Sequence, residues 1–135
     1  MKHQVVIVGA GPAGLAFARA LSGTDLDVLI VERLGHAELA DPAIDGRDIA
    51  LTHLSIKILK ELGAWSRIPP ESVSAVKEAR VIDGTSPYFL HFDHRKVCDD
   101  ALGYIVSNHL IRKALFDEVQ TLPNVELLTE TAAVS

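Results

Sequence analysis

A single cysteine, Cys98, stands among 135 residues, so no internal disulfide can staple the fold, and a reducing cytoplasm is the expected setting. Its expected role is that of a small apolar filler. No apolar run reaches the length of a membrane span. The 13 Lys and Arg fall short of the 18 Asp and Glu, leaving a formal charge of −5, and so little positive charge argues against a nucleic-acid partner. No internal repeat, low-complexity tract or linker is visible, and no Ser/His/Asp set has convincing spacing. His91 and His94 have no further ligand cluster, and Asp93, Asp99 and Asp100 beside them read as a solvated edge, so no metal is expected. The residues are 48% hydrophobic, in a length suited to about one domain with a core of its own.

Against that background one stretch stands out. Val5-Val6-Ile7-Val8 runs into Gly9-Ala10-Gly11-Pro12-Ala13-Gly14, then into the helical run 15–21, and a second apolar strand Val28-Leu29-Ile30-Val31 ends at Glu32-Arg33. Strand, glycine turn, helix, strand and carboxylate make the βαβ unit that holds the ADP half of a dinucleotide. Gly9 lets the chain turn out of the strand, Gly11 keeps a Cβ away from the diphosphate, and Gly14 lets the helix sit close on the strand. Pro12 falls near the first helical position, where its missing N–H costs nothing. The amides of that first turn, with the helix dipole, are expected to face the phosphates. Glu32 follows Gly14 by 18 residues and is expected to reach the ribose hydroxyls. Its charge would repel a 2′-phosphate, so NAD or FAD suits the pocket better than NADP.

Lys2, the apolar stretch 5–17 and Ala18-Arg19-Ala20 imitate a secretory signal. Three glycines and a proline inside the stretch fit a loop instead.

Further along, strands are expected at 4–8 and 27–31, and a helix at 12–22. Residues 35–48 carry Asp41-Pro42 and Asp45-Gly46 without a period and read as a long loop beside the ligand site. Leu51, Leu54, Ile58, Leu59 and Leu62 keep helical spacing as a core-packing stripe, with Thr52 or Ser55 as cap, Gly63 as stop and Trp65 as a core or hinge residue. Residues 73–82 and 88–92 around Asp83-Gly84 predict an antiparallel ribbon. Residues 102–106 predict a third strand, 110–119 a helix and 124–128 a further strand. The fold class expected is α/β: a Rossmann-like βαβ domain interrupted by an antiparallel β-ribbon belonging to a substrate domain. Its divisions are 1–72 for the first part of the cofactor domain, 73–106 for the ribbon and 107–135 for the cofactor domain continued. That arrangement points towards flavoproteins.

The glycine turn with Pro12, the Glu32-Arg33 pair, Asp45-Gly46-Arg47-Asp48-Ile49-Ala50-Leu51-Thr52 and the run Leu59 to Trp65 together resemble the FAD-dependent aromatic hydroxylases of the para-hydroxybenzoate hydroxylase type. Within that family Ala101-Leu102-Gly103-Tyr104-Ile105-Val106-Ser107-Asn108 is most similar to the ubiquinone-biosynthesis hydroxylases. Family members are longer, and their Asp-Gly and Gly-Asp flavin motifs fall beyond Ser135, so the chain is expected to be an amino-terminal fragment that turns over no substrate alone.

The resemblance implies FAD as cofactor and NAD(P)H as co-substrate. In the family the reduced flavin captures O2 as a hydroperoxide and passes an oxygen to a phenolic ring, while the protein orients the rings and excludes water. The substrate implied is a small aromatic or prenylated phenol. Peripheral attachment to the inner membrane, or to a biosynthetic complex, follows from greasy substrates of that kind, although no amphipathic anchor is visible. The residues carried over are Gly9, Gly11, Pro12, Ala13, Gly14, Glu32, Arg33, Arg47 and Asn108 for cofactor binding, with none catalytic. Arg47 matches the family arginine that approaches the diphosphate, a role suited to a forked guanidinium. Arg33 is placed along the adenine face. Asn108 stands where many relatives have arginine and the ubiquinone branch asparagine; His109 departs from that branch's arginine.

Two other readings stay open at this stage. One is an NAD-dependent dehydrogenase or amine-oxidising flavoprotein that shares the βαβ start. The other is a cofactor-binding module with no activity of its own.

Overall fold

The computed structural model describes residues 3–97 and 100–134. Lys2, Cys98 and Asp99, to which sequence expectations attach, lie outside the described residues. The opening unit forms as its pattern requires: β1 is Val5–Val8, α1 is Pro12–Ala20 and β2 is Val28–Val31. β1 and β2 pair in parallel, Val5 opposite Val28 and Val8 opposite Val31. β8, Val125–Leu128, adds to the other side of β2, also in parallel, so β2 is central. A parallel strand needs cover on its faces, and the apolar side chains of β2 find it beneath two helices. α4, Asn108–Val119, lies against α1, and Leu15, Val28, Ile30, Leu115 and Phe116 are fully buried in one core cluster. Each such side chain contributes ~2 kcal/mol by leaving water.

The expected loop is more ordered than its sequence suggests. It holds a short helix α2, His36–Ala40, and a strand β3, Asp48–Leu51. α2 is stabilised from outside: the Glu38 carboxylate accepts from the Gly35 N–H at 3.0 Å, and Lys113 of α4 donates to the Ala40 carbonyl at 2.7 Å. β3 pairs antiparallel with β7, Gly103–Ser107, while β4, Val73–Val76, flanks the other side of β7.

Two further expectations change. The run 73–82 is two strands, because β4 serves β7 while β5, Glu78–Ile82, pairs with β6, Phe89–Asp93, as a separate ribbon. The carbonyl of Lys77 at the break accepts from the N–H of His94 at 3.0 Å. The leucine stripe is also divided. Leu51 belongs to β3, and α3 runs only over His53–Glu61, capped by Thr52, whose hydroxyl accepts from the Ser55 N–H at 3.2 Å. α3 buries Ile56 and Leu59, while Leu54 and Ile58 are exposed. Trp65 packs half-buried against the core.

Asp93 is no solvated edge. It is buried at the end of β6, with both carboxylate oxygens accepting from the Arg95 guanidinium. Asp100 accepts from the Ala101 N–H and from the Tyr104 hydroxyl. Among the described residues no three or more His, Cys, Asp or Glu come together as a metal site.

Candidate functional site

The carboxyl end of β1 leads into a sharp bend. Gly9 has φ +103°, a conformation that side-chain-bearing residues rarely adopt, and its N–H donates to the Val31 carbonyl at 2.8 Å. A Cβ on Gly14 would lie 2.2 Å from the Gly9 carbonyl oxygen, so the helix can approach the strand only through glycine. Gly11 differs from both. Its φ of −76° is ordinary, and a Cβ there would meet no protein atom within 4 Å. Neither conformation nor packing asks for glycine at 11. The open space beyond it does, if something outside the chain must come close.

Gly11 is the N-cap of α1 and Pro12 its first residue, with no side-chain cap. The N–H groups of Ala13 and Gly14 therefore have no partner within the helix, and the positive end of the helix dipole coincides with them. That is a cradle for an anion.

Glu32 closes β2 and turns to the bend. Its Oε2 accepts from the Ala10 N–H at 2.6 Å and its Oε1 from the Leu34 N–H at 2.9 Å. Partial burial pushes its pKa up, but the N–H groups of Leu34, Ala10 and Arg33, with the Arg33 charge, outweigh that and hold it below the usual carboxylate value. The group stays an acceptor at neutral pH. Each oxygen keeps a further lone pair for a hydroxyl. A cavity of about 390 Å³ opens here, lined by Gly9, Glu32, Arg33, Thr131 and Ala133 among others. The wall from Thr131 and Ala133 was not foreseen; the Thr131 N–H donates to the Glu32 carbonyl at 2.9 Å.

A second cavity, about 370 Å³ and mainly apolar, has Pro12, Ala13, Ile49, Ile58 and Asn108 among its lining residues. The bend after β1 thus borders the first cavity through Gly9, and the start of α1 borders the second through Pro12 and Ala13. At this second corner the predicted Arg47 and Asn108 come together through a residue that sequence reasoning gave no role, Asp45. Its Oδ2 accepts from Arg47 Nε at 2.9 Å and Nη2 at 2.6 Å, and from Asn108 Nδ2 at 2.7 Å. The Asn108 N–H donates to the Arg47 carbonyl at 2.8 Å. Arg47 remains two-thirds exposed, whereas Asn108 is buried. His109 holds a buried Nδ1 with no hydrogen-bond partner. The spacing Asp45-Gly46-Arg47 was visible in the sequence, but its meaning depends on residue 108.

The sequence model of a family described as FAD binding domain matches residues 2–135. Among curated proteins, the ubiquinone hydroxylase UbiM of Neisseria meningitidis is 45% identical over 97% of this chain and 29% of its own length. The 3-demethoxyubiquinol 3-hydroxylase of Escherichia coli is 28% identical over 92% of this chain and 32% of its own. The chain therefore spans about three tenths of these relatives. Among solved structures, PqsL of Pseudomonas aeruginosa, described as a probable FAD-dependent monooxygenase, superposes with TM-score 0.70 at 20% identity, covering 95% of this chain and 33% of that one. The p-nitrophenol 4-monooxygenase PnpA of Pseudomonas putida gives 0.68 at 20% identity over 93% and 31%. At such identities these structures speak for the fold.

Proposed function

The chain belongs to the family of FAD-binding domains, and from that premise we propose that it forms the adenine-side part of the FAD site in a flavin monooxygenase that hydroxylates an aromatic ring. The single observation that carries the reading is Gly11, a glycine facing open space at the uncapped start of α1 with Glu32 bound to the same bend. The residues fit the cofactor. Gly9, Gly11 and Gly14 shape the bend; Pro12 and Ala13 begin the helix whose amides would meet the diphosphate; Glu32 would accept from the ribose hydroxyls. Arg33 would lie along the adenine, and Arg47 and Asn108 would meet the diphosphate and the chain beyond it.

Bound FAD would supply the redox chemistry through which NAD(P)H and O2 hydroxylate the ring. This chain's own part is to bind and orient. The ionised Glu32 disfavours a 2′-phosphate, the α1 amides would hold negative charge, and the apolar walls of the second cavity would face the bound group on one side. The substrate proposed is a phenolic ubiquinone precursor, by similarity to the two hydroxylases above. With it goes a division into residues 1–72 and 107–135 as cofactor-domain pieces around a substrate-domain ribbon at 73–106. No helix among the described residues is long and apolar enough to cross a membrane; a prenylated substrate would be met by peripheral attachment or within a biosynthetic complex.

The test is a flavin titration of the chain with FAD, ADP and NAD, followed by the visible spectrum and NAD(P)H oxidation of the complete protein with prenylated phenols. FAD and ADP are expected to bind, and NAD(P)H oxidation to rise with the phenol. A complete protein that purifies without flavin and binds none would end the proposal.

A further inference from the structure

We propose that Asp45 is a positioning residue for the cofactor: it pins one edge of Arg47 and the amide of Asn108, so that Arg47 offers its free end, and Asn108 its oxygen, to a bound dinucleotide. The inference rests on the FAD reading above and adds a residue to it.

The geometry is specific. A guanidinium has five N–H donors in a fixed plane. Asp45 takes the Nε edge together with one N–H of Nη2, so three N–H groups at the far end stay free for an anion. Gly46, at φ +70°, makes the tight turn that folds Arg47 back onto the carboxylate two residues before it, and Asp45 Oδ1 also accepts from the Arg47 backbone N–H at 3.1 Å. Without that clasp an exposed arginine in a loop would sample many rotamers, and binding would have to order them.

The second effect is on polarity. Arg47 and Asn108 together hold the Asp45 carboxyl well below the usual carboxylate range, so near neutral pH it is ionised and accepts from both. Asn108 must then turn its NH2 group to Asp45. Its amide oxygen is not taken up by Asp45, in a residue that lines the apolar cavity. Asn108 spends one of its two N–H groups on Asp45 and keeps its oxygen to accept from a ligand hydroxyl. The same carboxylate turns the free end of Arg47 towards an anion and keeps the Asn108 oxygen on the side away from itself.

FAD affinity of the chain, read by flavin fluorescence, tests this with Asp45→Ala, Asp45→Asn, Arg47→Met and the double variant Asp45→Ala/Arg47→Met, each checked for folding by thermal melt. Asp45→Ala should weaken FAD about tenfold, the scale of ordering one long side chain, and Asp45→Asn should fall between. In the Arg47→Met background Asp45→Ala should cause no loss, or a gain, because an unpaired carboxylate beside a diphosphate only repels it. The Asn108 side-chain amide protons, distinct and protected in the NMR spectrum of the unaltered chain, should collapse towards the exposed amide region in Asp45→Ala. Equal affinity of both Asp45 variants and the parent chain, or the same loss with and without Arg47, would overturn the inference alone. A parent chain that binds no FAD would overturn the functional reading and this inference with it.

Discussion

The parallel sheet β1-β2-β8 and the ribbon β5-β6 use similar materials to opposite ends. Both draw on valine, isoleucine and leucine, unbroken in β1 and β2 but set in the ribbon among Glu78, Arg80, His91 and Asp93, with two phenylalanines in β6. Ile30 in β2 is 0% exposed and Leu90 in β6 is 58% exposed. Composition makes a strand; a neighbour buries it. β2 has strands on both edges and the α1/α4 pair over it, whereas among the described residues the ribbon's two strands pair only with each other. The site inherits the rigidity of the first region, because Gly9 and Glu32 are fixed by backbone hydrogen bonds to strands that cannot shift without opening the core, and Ala10 by its N–H to the Glu32 carboxylate.

The sharpest way to break that rigid half is Gly14→Ala. Helix propensity alone would favour alanine by about 1 kcal/mol, but the new Cβ would lie 2.2 Å from a backbone oxygen, with no flexible side chain to yield. Overpacking of that kind should destabilise by roughly 3 kcal/mol and remove FAD binding with it. Chemical denaturation measures the first and flavin titration the second. Gly11→Ala separates the two effects. Its backbone angle suits alanine, so stability should hold or rise by roughly 0.5 kcal/mol. FAD affinity should still fall by about a hundredfold, which is ~2.7 kcal/mol. A Gly11→Ala chain that binds FAD normally would remove the argument from open space.

Next comes the clasp that holds the helices over the sheet. Glu118 of α4 accepts from Arg19 of α1 at 3.2 Å and from Arg67 in the turn after α3 at 2.5 Å. Its burial raises its pKa, but the two arginines outweigh that and bring it below the ordinary value of 4.5. A carboxylate with a lowered folded-state pKa lends stability that is fully present above the unfolded value and is lost as pH falls through the folded one. Stability should therefore decline below about pH 4.5, with Glu32 contributing in the same direction. Glu118→Gln should cost about 1–2 kcal/mol near neutrality and flatten part of that acid limb in pH-dependent melts. An unchanged limb would mean that the clasp does not form in solution.

Much of the rigid half is legible in the sequence because it is local. Gly9 to Gly14, Pro12 and the β1 and β2 strands carry their reasons within a few residues, and Glu32 needs only the length of α1 to reach Ala10. The rest depends on distant partners. β3 is a strand because Ser107 and its neighbours lie opposite Asp48 and its own; read alone, residues 48–51 look like loop and helix. α2 is one short turn that Lys113 helps to hold. Of the helical stripe Leu59 is buried and Leu62 packs on the core, yet Leu54 and Ile58 are exposed and Ile56, outside the stripe, is buried. Asp45 illustrates the limit best. Its turn with Gly46 could be seen, but its hold on Asn108 spans 63 positions, and no local pattern announces a hydrogen bond of that range.

The smallest effect belongs to the ribbon. Leu90 lies opposite Val81 on β5-β6, and both are more than half exposed. Leu90→Lys should change stability by no more than about 0.5 kcal/mol, as exposed positions do, while the same substitution at Ile30 would place an ammonium in the core. Melts at two chain concentrations sharpen the comparison. If Leu90→Lys lowered the melting point by several degrees, and the parent's melting point rose with concentration, the ribbon would be covered by a second copy in solution. The contrast between the two regions would then be one between burial within the chain and burial between chains. Equal, concentration-independent melts for both would leave the ribbon as the uncovered strand pair that its exposure describes.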